Sequence, residues 1–225
     1  MTMLFGPSGI EIAFASIFKI TQRAGRSTNI TRLTKWRASA RPVMVRLGVI
    51  CDSHIPDRMR ALPPAMFEAL AGVDAILHAG DICVQRVLDA LGELAPVHAV
   101  RGNRDLALRL PLDRELTFEG VRLGLTHGHG GLGRYARERL YAAFLGYYHT
   151  RFLRQVRGRF GNVQAVVFGH SHRPVNFVMN GVLMFNPGSL GPDYRKPHGP
   201  AVGLLTIEAG GVRGEIIRLD QHLTS

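Results

Sequence analysis

Apolar and polar positions alternate along most of this chain in short, sharply punctuated blocks, and the regular pattern begins at residue 45. "VRLGVI" (45–50) reads as a buried strand ending at Cys51-Asp52. "PPAMFEALA" (63–71) reads as a helix with proline near its start. "AILHA" (75–79) predicts a strand ending at Gly80-Asp81, "VQRVLDAL" (84–91) a helix, and "VHAV" (97–100) a strand ending at Arg101-Gly102-Asn103. Strand alternating with helix predicts an α/β sheet covered by helices.

The second half changes its period. "ELTFEGVRLGLTHGHG" predicts a hairpin turning at Glu119-Gly120 and running into His127. Residues 133–160 follow a helical period through Leu140, Ala143, Phe144, Tyr147 and Val156. "VNFVMNGVLMFN" predicts a hairpin whose Asn180-Gly181 suits a type I′ turn, and "VGLLTIEAGGVRGEIIRL" another, turning at Gly210-Gly211. A βαβαβ half followed by mostly antiparallel strands suggests two packed sheets with helices outside.

Composition adds bounds. At 225 residues and 46% hydrophobic, the chain can bury a core as one domain with an appendage. No apolar run approaches the ~20 residues that span a bilayer, so no stable membrane association is expected. Two cysteines, Cys51 and Cys83, make no disulfide framework, and a reducing cytoplasm is the default location. They read as small core residues, and His78 and His98 as satisfied core histidines, with His149 at the surface.

The net charge of +11 is concentrated. Residues 1–45 hold seven basic side chains against Glu11, and residues 133–160 hold seven arginines against Glu138. Residues 1–43 read as a basic extension: a tail, a targeting leader or an over-long start. Residues 44–225 read as the functional domain, with a basic helical insertion at about 133–160. Its interleaved aromatics fit a lid or groove for an anionic substrate, nucleic acid included. They also fit an amphipathic helix packed on the body or on a second subunit, which would make a homo-oligomer.

The candidate chemistry sits at strand ends. Asp52 and His54 follow the first strand, Asp81 the second and Asn103 the third; His127 and His129 follow a later strand, and His170 and His172 another. In an extended segment, residues i and i+2 point the same way, so each such pair can aim at one point. Ligands in open α/β sheets bind beyond the carboxyl ends of the strands. Five strands thus deliver metal-type donors to one edge, with glycines 80, 102 and 169 allowing close backbone approach. Aspartate and imidazole donors without a cysteine cluster suit Mn, Ni, Fe or Zn, Mn favoured, and more than four donors imply two divalent ions.

In these residues the chain resembles the calcineurin-like metallophosphoesterase superfamily: "DSH" (52–54), "GD" (80–81), "GNRD" (102–105), "THGH" (126–129) and "GHSH" (169–172) occur in that family's order. It resembles most the small prokaryotic phosphodiesterases related to the retromer scaffold subunit, which share "THGH" and "NPGS" (186–189). The resemblance implies a four-layer α/β/β/α sandwich of two mixed sheets flanked by helices. It implies one metal held by Asp52, His54, Asp81 and His172 and a second by Asp81, Asn103, His127 and His170, with Asp81 bridging. The reaction implied is hydrolysis of a small-molecule phosphate ester, most directly a phosphodiester, by in-line attack of a metal-bound hydroxide.

The chain departs from the family at Arg104, where many relatives carry a histidine assigned as the acid for the leaving group. Arginine is a poor proton donor but can fork onto phosphoryl oxygens. That predicts a preference for good leaving groups, with His129 as an alternative proton source and a solvent-facing Arg104 as the plain reading. Asp193, Tyr194, Arg195 and Lys196 are further candidates to reach a phosphate. Two rival functions remain: a nuclease or nucleic-acid binder using the basic attachments, and a non-catalytic scaffold on the same fold.

Overall fold

A computed structural model describes residues 44–146, 149–192 and 198–219. The N-terminal extension, Asp193 to Lys196, and Tyr147 of the helical period lie outside the described residues.

Strand β1 (Val45–Ile50) follows its apolar run and is buried over its last four residues. It pairs in parallel with β2 (Ala75–His78), which pairs in parallel with β3 (Val97–Ala99). Helices α1 (Pro64–Ala69) and α2 (Gln85–Gly92) connect them, α1 with proline in its first turn, where a missing N–H costs nothing. The antiparallel hairpin of β9 (Ala201–Glu208) and β10 (Gly211–Arg218) completes a sheet ordered β10-β9-β1-β2-β3.

The second sheet is ordered β4-β5-β6-β8-β7, from β4 (Asp113–Phe118), β5 (Val121–Thr126), β6 (Ala165–Phe168), β7 (Val175–Met179) and β8 (Val182–Asn186). The three expected hairpins are antiparallel, but within this sheet antiparallel pairing is confined to the edges. The central strands β5, β6 and β8 are parallel, and only the edge strands β4 and β7 run against them. All four residues of β6 are buried, as befits a parallel strand covered on both faces.

The sheets pack face to face through Leu47, Val49, Leu77, Leu125, Val167 and Phe185. The outer face of the first sheet is covered by Met66 and Leu70 of the α1 region and Val87 and Leu91 of α2. The outer face of the second is covered by Phe152, Leu153 and Val156 of α4 (His149–Arg157). The expected four layers are present.

The helical period over 133–160 folds as two helices, α3 (Leu132–Leu145) and α4, with Gly146 in the left-handed region (φ 82°) closing the first. The third hairpin turns at Ala209-Gly210, both at positive φ, one residue before the expected position. The shift places Val212 opposite Ile207, so both face the inter-sheet core; a one-residue slip would reverse every β10 side chain. Among the described residues no helix is long and apolar enough to cross a membrane.

Candidate metal centre

The parallel strands of each sheet end at the same side, and their carboxyl-terminal loops meet there. Asp52 N–H donates to the Gly80 carbonyl at 3.0 Å and His54 N–H to the Asp81 carbonyl at 2.9 Å, which locks the first two loops together. The His170 N–H donates to Asp52 Oδ2 at 3.1 Å and brings in the loop after β6 from the other sheet. Asn186, at the end of β8, donates to the Gly169 carbonyl and to Ser171 Oγ of that loop, both at 3.2 Å, a use for the "NPGS" turn.

The expected i, i+2 geometry is not what orients these residues. Asp52 (φ 55°), His54 (49°), Asp81 (55°), His170 (66°) and His172 (50°) all occupy the left-handed region rather than an extended one. Each non-glycine residue there costs roughly 1–3 kcal/mol and persists only where its surroundings hold it. The turn also separates members of a pair: His170 Nδ1 lies 3.2 Å from His127 Nε2, whereas His172 Nε2 lies 3.3 Å from His54 Nε2 and 3.2 Å from Asp52 Oδ1.

Asp81 lies between the two groups. Its Oδ2 faces His54 Nε2 at 3.6 Å and its Oδ1 faces His127 Nε2 at 3.5 Å. Asp52, His54 and His172, and likewise Asp52, Asp81 and His127, offer donor atoms close enough together to hold a metal ion. His127 Nδ1–H donates to the Ala79 carbonyl at 2.8 Å, which leaves the lone pair of a neutral ring on Nε2. That lone pair meets Asn103 Oδ1 at 3.1 Å and the Asp81 carboxylate. With that ring neutral, three acceptors would face one another here, an arrangement that a cation relieves, so the donor set fits divalent metals.

The protonation balance points the same way. Burial, with Arg58 and neighbouring imidazoles adding repulsion, lowers His54 to about 4. Burial, with the crowding of neighbouring imidazoles adding to it, lowers His170 to about 3 and His129 to about 4. Neutral imidazoles at pH 7 keep their lone pairs free. Burial pushes the Asp52 carboxyl up, but its hydrogen bond to His172 and the nearby histidines outweigh this and hold it well below the usual carboxylate range. Asp81 is raised, first by burial and then by the Asp52 charge.

Asp105 was legible only as the last letter of "GNRD", yet it organises the centre. Its buried carboxylate accepts the backbone N–H groups of Asp81 (2.9 Å), Ile82 (2.7 Å), Cys83 (2.7 Å) and Gly102 (2.7 Å). A Cβ on Gly102 would sit 2.1 Å from Asp81 Oδ1, so glycine is required for the approach. Arg58, also unremarked in the sequence, donates to His172 Nδ1 at 3.3 Å from the rim.

Arg104 donates its backbone N–H to Asp81 Oδ1 at 2.8 Å, and its guanidinium, more than half exposed, pairs with Asp57 at 2.8 Å. His129 is buried in the wall beside His127, ring centroids 5.4 Å apart, and among the described residues its Nδ1 has no hydrogen-bond partner. His78 is the satisfied core histidine expected; its Nε2 meets Ser53 Oγ at 3.2 Å and its Nδ1 accepts the Gly80 N–H at 3.2 Å. Cys51 is buried and donates to the Gly188 carbonyl at 2.9 Å, but Cys83 and His98 are only half-buried rather than in the core, and His149, expected at the surface, is half-buried too. Burial holds both thiols protonated, Cys83 at about 12.

A cavity of about 640 Å³ opens from this centre beneath α3 and α4, with His129 and His170 in its wall. Both helices line the cavity, and α4 also packs Phe152, Leu153 and Val156 into the core.

Residues 45–210 match the calcineurin-like phosphoesterase superfamily domain. A probable metallophosphoesterase of Methanothermobacter thermautotrophicus is 35% identical over 174 residues, covering 76% of this chain and 91% of that protein. Among solved structures, Vps29 of Chaetomium thermophilum superposes with a TM-score of 0.56 at 21% identity, over 77% of this chain and 97% of that one, a likeness of fold. Wild-type Vps29 of Entamoeba histolytica, solved in complex with zinc, superposes with a TM-score of 0.52 at 25% identity, over 78% and 99% of the two chains.

Proposed function

The chain belongs to the calcineurin-like phosphoesterase superfamily, and on that footing we propose that it is a phosphodiesterase with a two-metal centre. The observation that carries this is the Asp81 carboxylate, whose two oxygens are turned toward separate histidine groups. Asp52, His54, Asp81 and His172 would hold one ion, and Asp81, Asn103, His127 and His170 the other. Divalent ions bound there would lower the pKa of a shared water and offset charge on the phosphoryl oxygens. Manganese is our first choice for a donor set of oxygens and imidazoles, and the zinc complex of the Entamoeba relative supports cation binding on this fold.

The protein's own part is preorganisation. Asp105 and Gly102 fix Asp81, and the Ala79 carbonyl fixes the His127 ring. Arg104, its backbone tied to Asp81, would serve as a cation for phosphoryl oxygens rather than as a proton donor. His129 lines the cavity beside the centre, its buried Nδ1 without a hydrogen-bond partner among the described residues.

The likeness to Vps29 supplies a second reading, a scaffold without catalysis. The complete donor set favours the enzyme. Elemental analysis of the purified protein, with turnover of bis-p-nitrophenyl phosphate against p-nitrophenyl phosphate, separates them. Bound manganese with diester turnover supports the phosphodiesterase; a metal-free protein inert after manganese addition supports the scaffold.

A further inference from the structure

The cavity beneath α3 and α4 is far larger than a phosphoryl group needs. At about 640 Å³ it falls within the ~300–1,000 Å³ typical of pockets that enclose a whole organic ligand. It adjoins the donor cluster directly, because the His170 ring forms part of its wall and stands 5.7 Å from the Tyr135 ring. A phosphoryl group held by the cluster would therefore have one ester arm beside Tyr135.

The walls are aromatic and planar. Tyr135, Tyr141 and Phe152 contribute rings, and the Arg151 guanidinium lies 3.8 Å over the Tyr141 ring. Glu138 holds this plane in place, accepting from Arg151 and from Gln155, each at 3.2 Å. Arg139 reaches the Tyr135 hydroxyl at 3.4 Å and fixes that ring from above. Preordered flat faces with a few polar edges select flat ligands, since stacking is tolerant of what the ring carries but not of its absence.

Resting on the phosphoesterase reading above, we propose that this cavity binds the organic arm of the substrate, and that the arm is a planar aromatic group, a nucleobase or an aryl ring, seated against Tyr135. The basic segment then acts as the specificity wall of the centre rather than as a surface for long nucleic acid.

Calorimetric titration of the manganese-loaded full chain with adenosine 5′-monophosphate, phenyl phosphate and methyl phosphate tests this. Stacking contributes roughly 1–3 kcal/mol per base, so at least one aromatic ester should bind about tenfold or more tighter than methyl phosphate. The adenosine and phenyl arms distinguish a nucleobase from a simple aryl ring. Tyr135→Leu should bring the ratio within about threefold, and Tyr135→Phe should keep it. Metal-dependent binding of all three esters with equal affinity, or an equal loss for all three in Tyr135→Leu, overturns the aromatic subsite and leaves the metal centre standing. No metal-dependent binding of any ester overturns the phosphoesterase reading, and the subsite with it.

Discussion

The carboxylate of Asp105 lies directly beneath the backbone of Asp81, accepting its N–H at 2.9 Å while also accepting those of Ile82, Cys83 and Gly102. One side chain from the loop after β3 therefore sets the position of the residue on which both halves of the centre depend. Hydrogen bonds to a charged group contribute about 1.5–3 kcal/mol each, and a buried donor left unsatisfied costs a further share.

Asp105→Asn should accordingly destabilise the fold by roughly 2–4 kcal/mol, because the amide turns an N–H₂ toward donors that need an acceptor. Metal content should fall with stability. Urea unfolding and elemental analysis of the variant check both, and unchanged metal content at reduced stability would separate Asp105 from the centre.

Gly102→Ala should abolish metal retention, since its Cβ would meet Asp81 Oδ1 at 2.1 Å and Asp81 N at 2.2 Å. Gly92→Ala is the control: it closes α2 with nothing within 4 Å of an added Cβ. That variant should be more stable by roughly 0.5–1 kcal/mol through the lower entropy of its unfolded chain. Thermal melts of the pair test the contrast.

Arg104→His should speed hydrolysis of esters with poor leaving groups relative to p-nitrophenyl esters, because histidine can donate a proton and arginine cannot. The Arg104–Asp57 pair is exposed, so its loss should change stability by less than about 1 kcal/mol. Rates on alkyl and aryl diesters decide the point; no gain on the alkyl ester removes the leaving-group argument.

Burial lowers His78 to about 4 in the folded chain, against an ordinary value of 6.5. The unfolded chain takes up its proton first on acidification. Stability from His78 is therefore complete above pH 6.5 and is lost as pH falls toward 4. At about 1.4 kcal/mol per pKa unit the loss is on the order of 3 kcal/mol. His54, His129 and His170 add in the same direction. In His78→Gln the difference in unfolding free energy between pH 7 and pH 4.5 should shrink, and an unshrunken difference would assign it to the other three.

The sequence by itself determined the strand-ending motifs, because apolar runs and the residues that interrupt them are local properties of the chain. "VRLGVI" and the Asn180-Gly181 turn are such features, and the five motifs from Asp52 to His172 could be read in order without coordinates. Tertiary structure decided how those side chains aim. Left-handed backbone at Asp52, His54, Asp81, His170 and His172 is unfavourable locally and is stabilised by partners far along the chain. Asp105 acts on residues more than twenty positions earlier, and Tyr135 reaches His170 across the whole of α4. No period records such pairings, because they arise only when two sheets, each closed by its own parallel strands, bring their loops together and exclude water between them.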